Sequence, residues 1–338
     1  MMSGRSGAPM PWLAAPLAAA CAHHQGHALL VHGPAGVGQF EFALMLAKAW
    51  LCEAPPAERP DAAACGRCPA CRLFDARAHP DLRVLLPEAL EEDLGWSAGE
   101  ATAADSSDSG KRRQPSKDIR VEQVRGAVQF SALTRSRGCC KVIVVYPAER
   151  MNHVAANTLL KTLEEPPPAQ RFVLATQAAE RLLPTVRSRC QAVRLSTPTR
   201  EEALTWLQGQ GVATPQVLLD GAGGSPLDAL AWSLCGVDAK SWVQLPDVVR
   251  RGDAGALAGW PVPRVVDALQ RVCHDALALA VGAAPRYFPA MPRSGSPALD
   301  GLLAWAAELR RVARHAEHPW QAPLLIEALV TQGQQALR

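Results

Sequence analysis

Apolar residues follow two rhythms along this chain, and the first gives way to the second just beyond Val193. In the first part they cluster in short continuous runs: Ala28-Leu29-Leu30-Val31-His32, Leu82-Arg83-Val84-Leu85-Leu86, Lys141-Val142-Ile143-Val144-Val145-Tyr146 and Arg171-Phe172-Val173-Leu174-Ala175-Thr176. Runs of that length, rich in β-branched residues, predict buried strands. Between them apolar positions recur at helical spacing: a segment through Glu41, Leu44, Leu46 and Trp50, then Ile119, Val121, Val124 and Val128, then Val154, Leu159, Leu160 and Leu163. Pro166-Pro167-Pro168 stops the last of these, which runs from about Asn152 to Glu164. Strands alternating with helices predict a parallel α/β sheet. In the second part Thr199-x-x-Glu202 forms a capping box for a helix with Leu204 and Leu207 on one side. Ala- and Leu-rich helical patterns continue to the C-terminus, broken at Gly223-Gly224-Ser225-Pro226 and in a Pro/Gly/Ser loop around 289–297. The last third reads as a separate all-helical domain.

Two stretches stand outside this pattern. Residues 88–117 lack apolar periodicity; they begin acidic (Glu88, Glu91, Glu92, Asp93), pass through Ser106, Ser107 and Ser109, and end basic (Lys111, Arg112, Arg113, Lys117). That composition predicts a disordered surface insertion, with contact of the basic cluster to DNA as the alternative. The N-terminal stretch, Arg5 followed by Trp12 through Cys21, imitates a signal peptide, and Ala20-Cys21 resembles a lipoprotein cleavage point. Pro16 interrupts the run and Ala18 occupies the leucine position of such a signal, so an amphipathic first helix is predicted instead. No other stretch approaches the ~20 apolar residues needed to span a bilayer.

Composition narrows the class only a little. At 338 residues and 48% hydrophobic content there is material for two or three domains with a real core, and a net charge of +3 does not by itself argue nucleic-acid binding.

The cysteines are more informative. Cys52-x12-Cys65-x2-Cys68-x2-Cys71 offers four thiolates that can surround one tetrahedral Zn²⁺, with Gly66 easing the tight turn. A disulfide pair or reactive thiols is the other reading. The remaining cysteines are scattered, and the adjacent Cys139-Cys140 cannot easily form a relaxed disulfide, which favours a reducing, cytoplasmic setting.

Gly33-Pro34-Ala35-Gly36-Val37-Gly38 lies between the first strand and the helix that follows, the order of a phosphate-binding loop. A working loop continues with lysine, which neutralises phosphate charge, and a hydroxyl residue, which holds Mg²⁺. Here Gln39 and Phe40 stand in those places, and the later strand ends Val145-Tyr146-Pro147 where an active ATPase needs an acidic pair. The fold predicted is that of a nucleotide-binding ATPase without the chemistry. Ser188-Arg189-Cys190 remains, following Glu180-Arg181-Leu182-Leu183-Pro184, which should start a short helix. An arginine on a chain that hydrolyses nothing can still stabilise charge on a neighbour's nucleotide, although a surface ion pair is the commoner use.

Asn157-Thr158-Leu159-Leu160-Lys161-Thr162-Leu163-Glu164-Glu165-Pro166-Pro167, Leu174-Ala175-Thr176 and Arg187-Ser188-Arg189-Cys190 closely resemble the bacterial DNA polymerase III clamp-loader family. With the cysteines and the eroded loop, the chain resembles its delta-prime branch more than the ATP-hydrolysing gamma/tau branch. The resemblance extends to Trp12, to Asp118 through Arg125, to Gly223 through Leu227, and to His318-Pro319 with Leu324-Leu325. It implies an AAA+ nucleotide-binding-fold domain over residues 1–166 with the zinc module at 52–71, a lid domain over 167–208 and a helical collar over 209–338. It further implies a stator role in a five-subunit ring with gamma/tau and delta subunits that loads the sliding clamp onto primed DNA. Arg189 is then the finger that acts in trans, Cys52, Cys65, Cys68 and Cys71 hold a structural Zn²⁺, and no ATP is held by Gly33, Gly36, Gly38, Gln39 and Phe40. The long 88–117 insertion and the wide gap from Cys52 to Cys65 depart from the pattern. An active gamma/tau-like ATPase and a zinc-dependent DNA-binding module are the competing readings. His32 is expected at a strand end, His79-Pro80-Asp81 in a turn and Thr176 as a strand-end cap; the tryptophans are expected as core or interface anchors. Glu164 and Glu165 end a helix, where carboxylates are disfavoured, and no local reason for them is legible.

Overall fold

A computed structural model describes residues 10–23, 26–60, 63–96, 115–138, 140–291, 299–315 and 320–338. Helices and strands alternate first: α1 (Ala14–His23), β1 (Ala28–His32), α2 (Gln39–Leu51), α3 (Pro69–Asp75), β2 (Leu82–Leu85) and the short α4 (Glu88–Glu91). Then come α5 (Val121–Ala132), β3 (Lys141–Val145), α6 (His153–Glu164), β4 (Gln170–Thr176), the one-turn α7 (Pro184–Arg187) and β5 (Gln191–Arg194). The strands form a five-stranded sheet ordered β2-β3-β4-β1-β5, parallel throughout. This is the α/β AAA+ architecture that the resemblance implied, and it puts β1, which opens into the glycine loop, inside the sheet.

The apolar runs are continuous because both faces of the sheet are covered. Leu30, Ile143, Val145, Phe172 and Leu174 point to one side, into a cluster with Val124, Ala127, Leu159 and Leu163 of α5 and α6. The intervening Val142, Val144 and Val173 are equally buried, and α2 packs over β3 and β4. Successive strand side chains alternate between faces, so a core of two halves follows directly from runs without polar interruption.

Three expectations need revising. The domain boundary placed at 166 cuts through this sheet: β4 lies between β3 and β1, and β5 pairs with β1, so the stretch expected as the start of a lid supplies two strands. The triple proline ends a helix, not a domain. β5 itself was not anticipated, because at the sheet's edge only Val193 of its four residues is buried. The 88–117 insertion is ordered at both ends: Glu88 to Glu91 is helical, the Ala89 N–H donates to Ser116 O (3.0 Å), the Ser116 N–H donates to Glu88 Oε2 (2.9 Å), and Arg120 pairs with Glu88 at 2.7 Å. An acidic start that composition reads as solvated is an ion-pair partner for a residue beyond the insertion. Residues 97–114, with Lys111, Arg112 and Arg113, lie outside the described residues, as do Arg5, Cys139 and His318-Pro319.

Contacts divide the chain after Glu202. The second unit begins at Ala203, within α8 (Arg200–Gly209), and continues through α9 (Pro215–Gly221), α10 (Pro226–Leu234), α11 (Ala239–Arg251), α12 (Val262–Ala280), α13 (Leu299–Arg314) and α14 (Ala322–Ala336). Its regular elements are all helices among the described residues, as the second rhythm predicted. Trp242 sits at one centre, with Trp232 at 4.6 Å and Phe288 at 4.9 Å between ring centroids. Asp275, fully buried, accepts the N–H groups of Arg286, Tyr287 and Phe288, so the chain after α12 is fastened by one carboxylate. Trp305 forms a second centre and donates its Nε1–H to Leu329 O at 3.1 Å. Among the described residues no helix is long and apolar enough to cross a membrane.

Candidate functional site

The glycine loop joins β1 to the N-terminus of α2, where a phosphate would be cradled. Gly36 (φ 71°) and Gly38 (φ 100°) are left-handed, a conformation that favours glycine. At Gly33 a Cβ would lie 2.5 Å from Leu195 O, so backbone contact alone requires a glycine there. Gln39 occupies the lysine position and turns inward. Its Nε2 donates to Gly33 O at 2.8 Å and Pro34 O at 2.6 Å, and the residue is 2% exposed. Two carbonyl oxygens facing one terminal atom fix that atom as the nitrogen. Phe40 is buried and stacks on Tyr146 with centroids 4.9 Å apart, so the two residues that replaced the hydroxyl and one acid form a single aromatic pair. The segment ahead of β1 covers the loop: Trp12 Nε1 donates to Val37 O at 2.8 Å, and a Cβ at Gly38 would lie 2.9 Å from the Met10 sulfur and 3.2 Å from Leu13. Thr176 is buried and accepts the Ala178 N–H at 3.0 Å, the strand-end cap expected of it. His32 pairs across to Thr176 and Arg194 at the end of β1, and His79 accepts the Asp81 N–H in the turn before β2.

At the other end of α2 lie the cysteines. Cys52 is the C-cap of α2 and Cys68 the N-cap of α3, so two helix ends present ligands to one point. Thirteen helical residues put this point about 20 Å from the glycine loop. The four sulfurs lie within 4.8 Å of one another, with Cys52 to Cys68 at 3.9 Å and Cys65 to Cys71 at 4.0 Å. Sulfurs about 2.3 Å from a central Zn²⁺ would stand about 3.8 Å apart at tetrahedral angles, so the cluster fits one such ion with little adjustment. The N–H groups of Cys65, Cys68 and Cys71 point at the sulfurs of Cys52, Cys65 and Cys68, each at 3.4 Å. Backbone N–H groups of Arg67 and Cys68 lower the Cys65 thiol to about 6, and burial followed by its bond to Cys68 raises Cys71. The group can therefore hold a metal ion. The wide gap between Cys52 and Cys65 is braced by Arg59, whose guanidinium donates to the carbonyls of Ala49, Cys52 and Ala54 at and beyond the C-terminal end of α2.

Arg189 follows α7. Its Nη1 donates to Thr185 O (2.8 Å) and Ser188 Oγ (3.3 Å), and its Nη2 pairs with Glu164 at the end of α6. The carboxylate without a local reason thus has a tertiary one. Cys190 packs against the sheet's core and burial pushes its thiol up to about 12, so it is an inert packing group rather than a nucleophile.

A family model described as "DNA polymerase III, delta subunit" matches residues 17–199. A DNA polymerase III subunit delta' from Escherichia coli (strain K12) is 31% identical over 77% of this chain and 76% of its own length. This chain belongs to the DNA polymerase III delta-prime family. Delta' subunits of Pseudomonas aeruginosa and Haemophilus influenzae are 39% and 34% identical, each over 60% of this chain and 54% of the relative's own length.

The span matched to that family model contains the glycine loop, all four cysteines and Arg189. Within it the structure joins Gln39 to the loop's own carbonyls, brings the cysteines to one point, and sets Arg189 against Ser188. Sequence reasoning pointed to a tertiary or interface partner for Glu164 without naming Arg189, and it missed Arg59 as a working residue. The only signal for Glu164 was its poor fit to a helix C-terminus. Arg59 gave no signal, since an arginine in a Pro- and Ala-rich loop is unremarked until three carbonyls are seen to converge on it.

Proposed function

We propose that this chain is a clamp-loader subunit that keeps a nucleotide-binding fold without hydrolysing ATP and lends Arg189 to an ATP site on a neighbouring gamma/tau subunit. The observation that carries the reading is the filled loop. Gln39 spends its donors on Gly33 and Pro34, and Phe40 with Tyr146 occupies the ground where Mg²⁺ and its acids would stand. An uncharged amide cannot offset polyphosphate charge. Membership of the delta-prime family supports the assembly: gamma/tau and delta subunits as partners, with primed DNA and the sliding clamp engaged through the complex, in the cytoplasm. The second unit serves as the collar. The cysteines hold a structural Zn²⁺ that fastens the end of α2 to the start of α3.

Arg189 is the charged residue of the triplet and has a third of its side chain exposed (33%), while Cys190 is committed to the core. Two measurements test the proposal. Calorimetry of the isolated chain with Mg-ATP is expected to show no binding in the micromolar range. In the reconstituted complex, R189A is expected to slow turnover at the adjoining site by about 10³-fold or more. Micromolar binding by the isolated chain, or DNA-stimulated turnover in R189A within about twofold of the parent, would overturn it.

A further inference from the structure

Arg189 and Glu164 come from different elements, and no backbone constraint obliges them to meet. Glu164 is the last residue of α6, where the helix's carbonyl ends oppose a carboxylate. The guanidinium that neutralises it reaches over from beyond α7 through Nη2, while Nη1 is held by Thr185 and Ser188. The Nε–H is shielded from solvent and meets no acceptor among the described residues. A fork of five donors is therefore incompletely used. Both partners are also partly open to solvent, at 33% for Arg189 and 46% for Glu164. An ion pair of that exposure is weak. A polyphosphate, with more charge and several oxygens in the geometry a guanidinium recognises, competes with it well.

We propose that Glu164 is the resting counter-ion of Arg189, a positioning residue that holds the guanidinium against the end of α6 until a polyphosphate on an adjacent subunit draws it away. The inference rests on the reading of Arg189 as acting on a neighbour's nucleotide, and it adds the group against which that nucleotide competes. No bond is made or broken; one anion replaces another. Glu164 thus sets the ATP concentration at which the finger engages, and it leaves the rate after engagement to Arg189.

The test is the ATP dependence of DNA-stimulated turnover in the reconstituted complex for the parent, E164Q, E164D, R189A and E164Q/R189A. Glutamine keeps the size and one acceptor of Glu164 and removes its charge. E164Q is expected to lower KM for ATP about two- to fivefold with kcat retained. E164D, which keeps the charge, stays near the parent. E164Q added to R189A changes nothing further, because its effect passes through the guanidinium. An unchanged KM in E164Q, a fall in kcat at constant KM, or the same KM shift in the R189A background would each overturn the counter-ion role. These outcomes leave the finger itself standing so long as R189A alone collapses turnover; a harmless R189A removes the underlying reading instead. Where E164Q does not assemble, E164A against E164D reads the same KM difference.

Discussion

Replacing Gln39 probes whether the glycine loop is held shut by its own side chain. In the parent one Nε2 donates to two backbone carbonyls, Gly33 O at 2.8 Å and Pro34 O at 2.6 Å, from a side chain 2% exposed. Each neutral hydrogen bond contributes about 0.5–1.5 kcal/mol net, so Q39A removes about 1–3 kcal/mol if neither carbonyl finds another partner. Pro34 is exposed and its carbonyl can take water on truncation, which brings the expected loss to about 1–2 kcal/mol. Q39E is the sharper variant, because it keeps the volume and replaces a donor with an acceptor. A carboxylate would then face two carbonyl oxygens in a buried position, and the loss should exceed that of Q39A by at least about 1 kcal/mol. Urea unfolding followed by far-ultraviolet circular dichroism reads both. With a slope of about 3 kcal/mol per molar for a unit of this size, Q39A should lower the midpoint of the sheet unit by about 0.5 M. The second unit's transition should not move. Q39A at the parent midpoint, or Q39E no worse than Q39A, would refute the claim that the amide is a structural plug and leave the loop free for a ligand.

Three further outcomes are expected. C71S should reduce bound metal from about one equivalent to well under half by elemental analysis, with faster proteolysis between α2 and α3; retained metal would refute the four-sulfur site. G333A sets a methyl group 2.6 Å from the Trp305 ring and 2.7 Å from Val249. Overpacking of about 1–3 kcal/mol, less about 1 kcal/mol gained from helix propensity, should lower the second unit's melting temperature in a tryptophan fluorescence scan, and an unchanged scan would refute it. E202Q tests the capping box, where the side chain and N–H of Thr199 hold the Glu202 carboxyl below its ordinary value of 4.5. A depressed value in the folded state gives stability that is present above the ordinary glutamate range and lost as pH falls through the depressed one. The difference in melting temperature between E202Q and the parent should therefore be present at pH 7 and vanish in acid; a difference that persists there would refute it.

Most of the site was legible because its chemistry is local. The order strand, glycine loop, helix, the missing lysine and acids, and the spacing of Cys65, Cys68 and Cys71 are all properties of a few adjacent residues. Local sequence constrains them because a turn or a cap is completed within a few positions. Apolar runs without polar interruption likewise implied a sheet covered on both faces before any strand was paired. What tertiary structure alone decided involves groups far apart in the chain. Glu164 meets Arg189, Glu88 meets Arg120, Arg59 gathers the carbonyls at the end of α2, and β5 becomes a strand by pairing with β1. None of these partners is named by a local propensity: Glu164 fits its helix end poorly, but nothing near it in sequence points to Arg189, and an exposed charge or a polar edge strand costs little by itself in water. The sequence by itself determined that this chain has an AAA+ sheet with an eroded nucleotide loop. Packing decided that Gln39 closes the loop and that the arginine is tethered, because only the folded chain brings those donors to their acceptors.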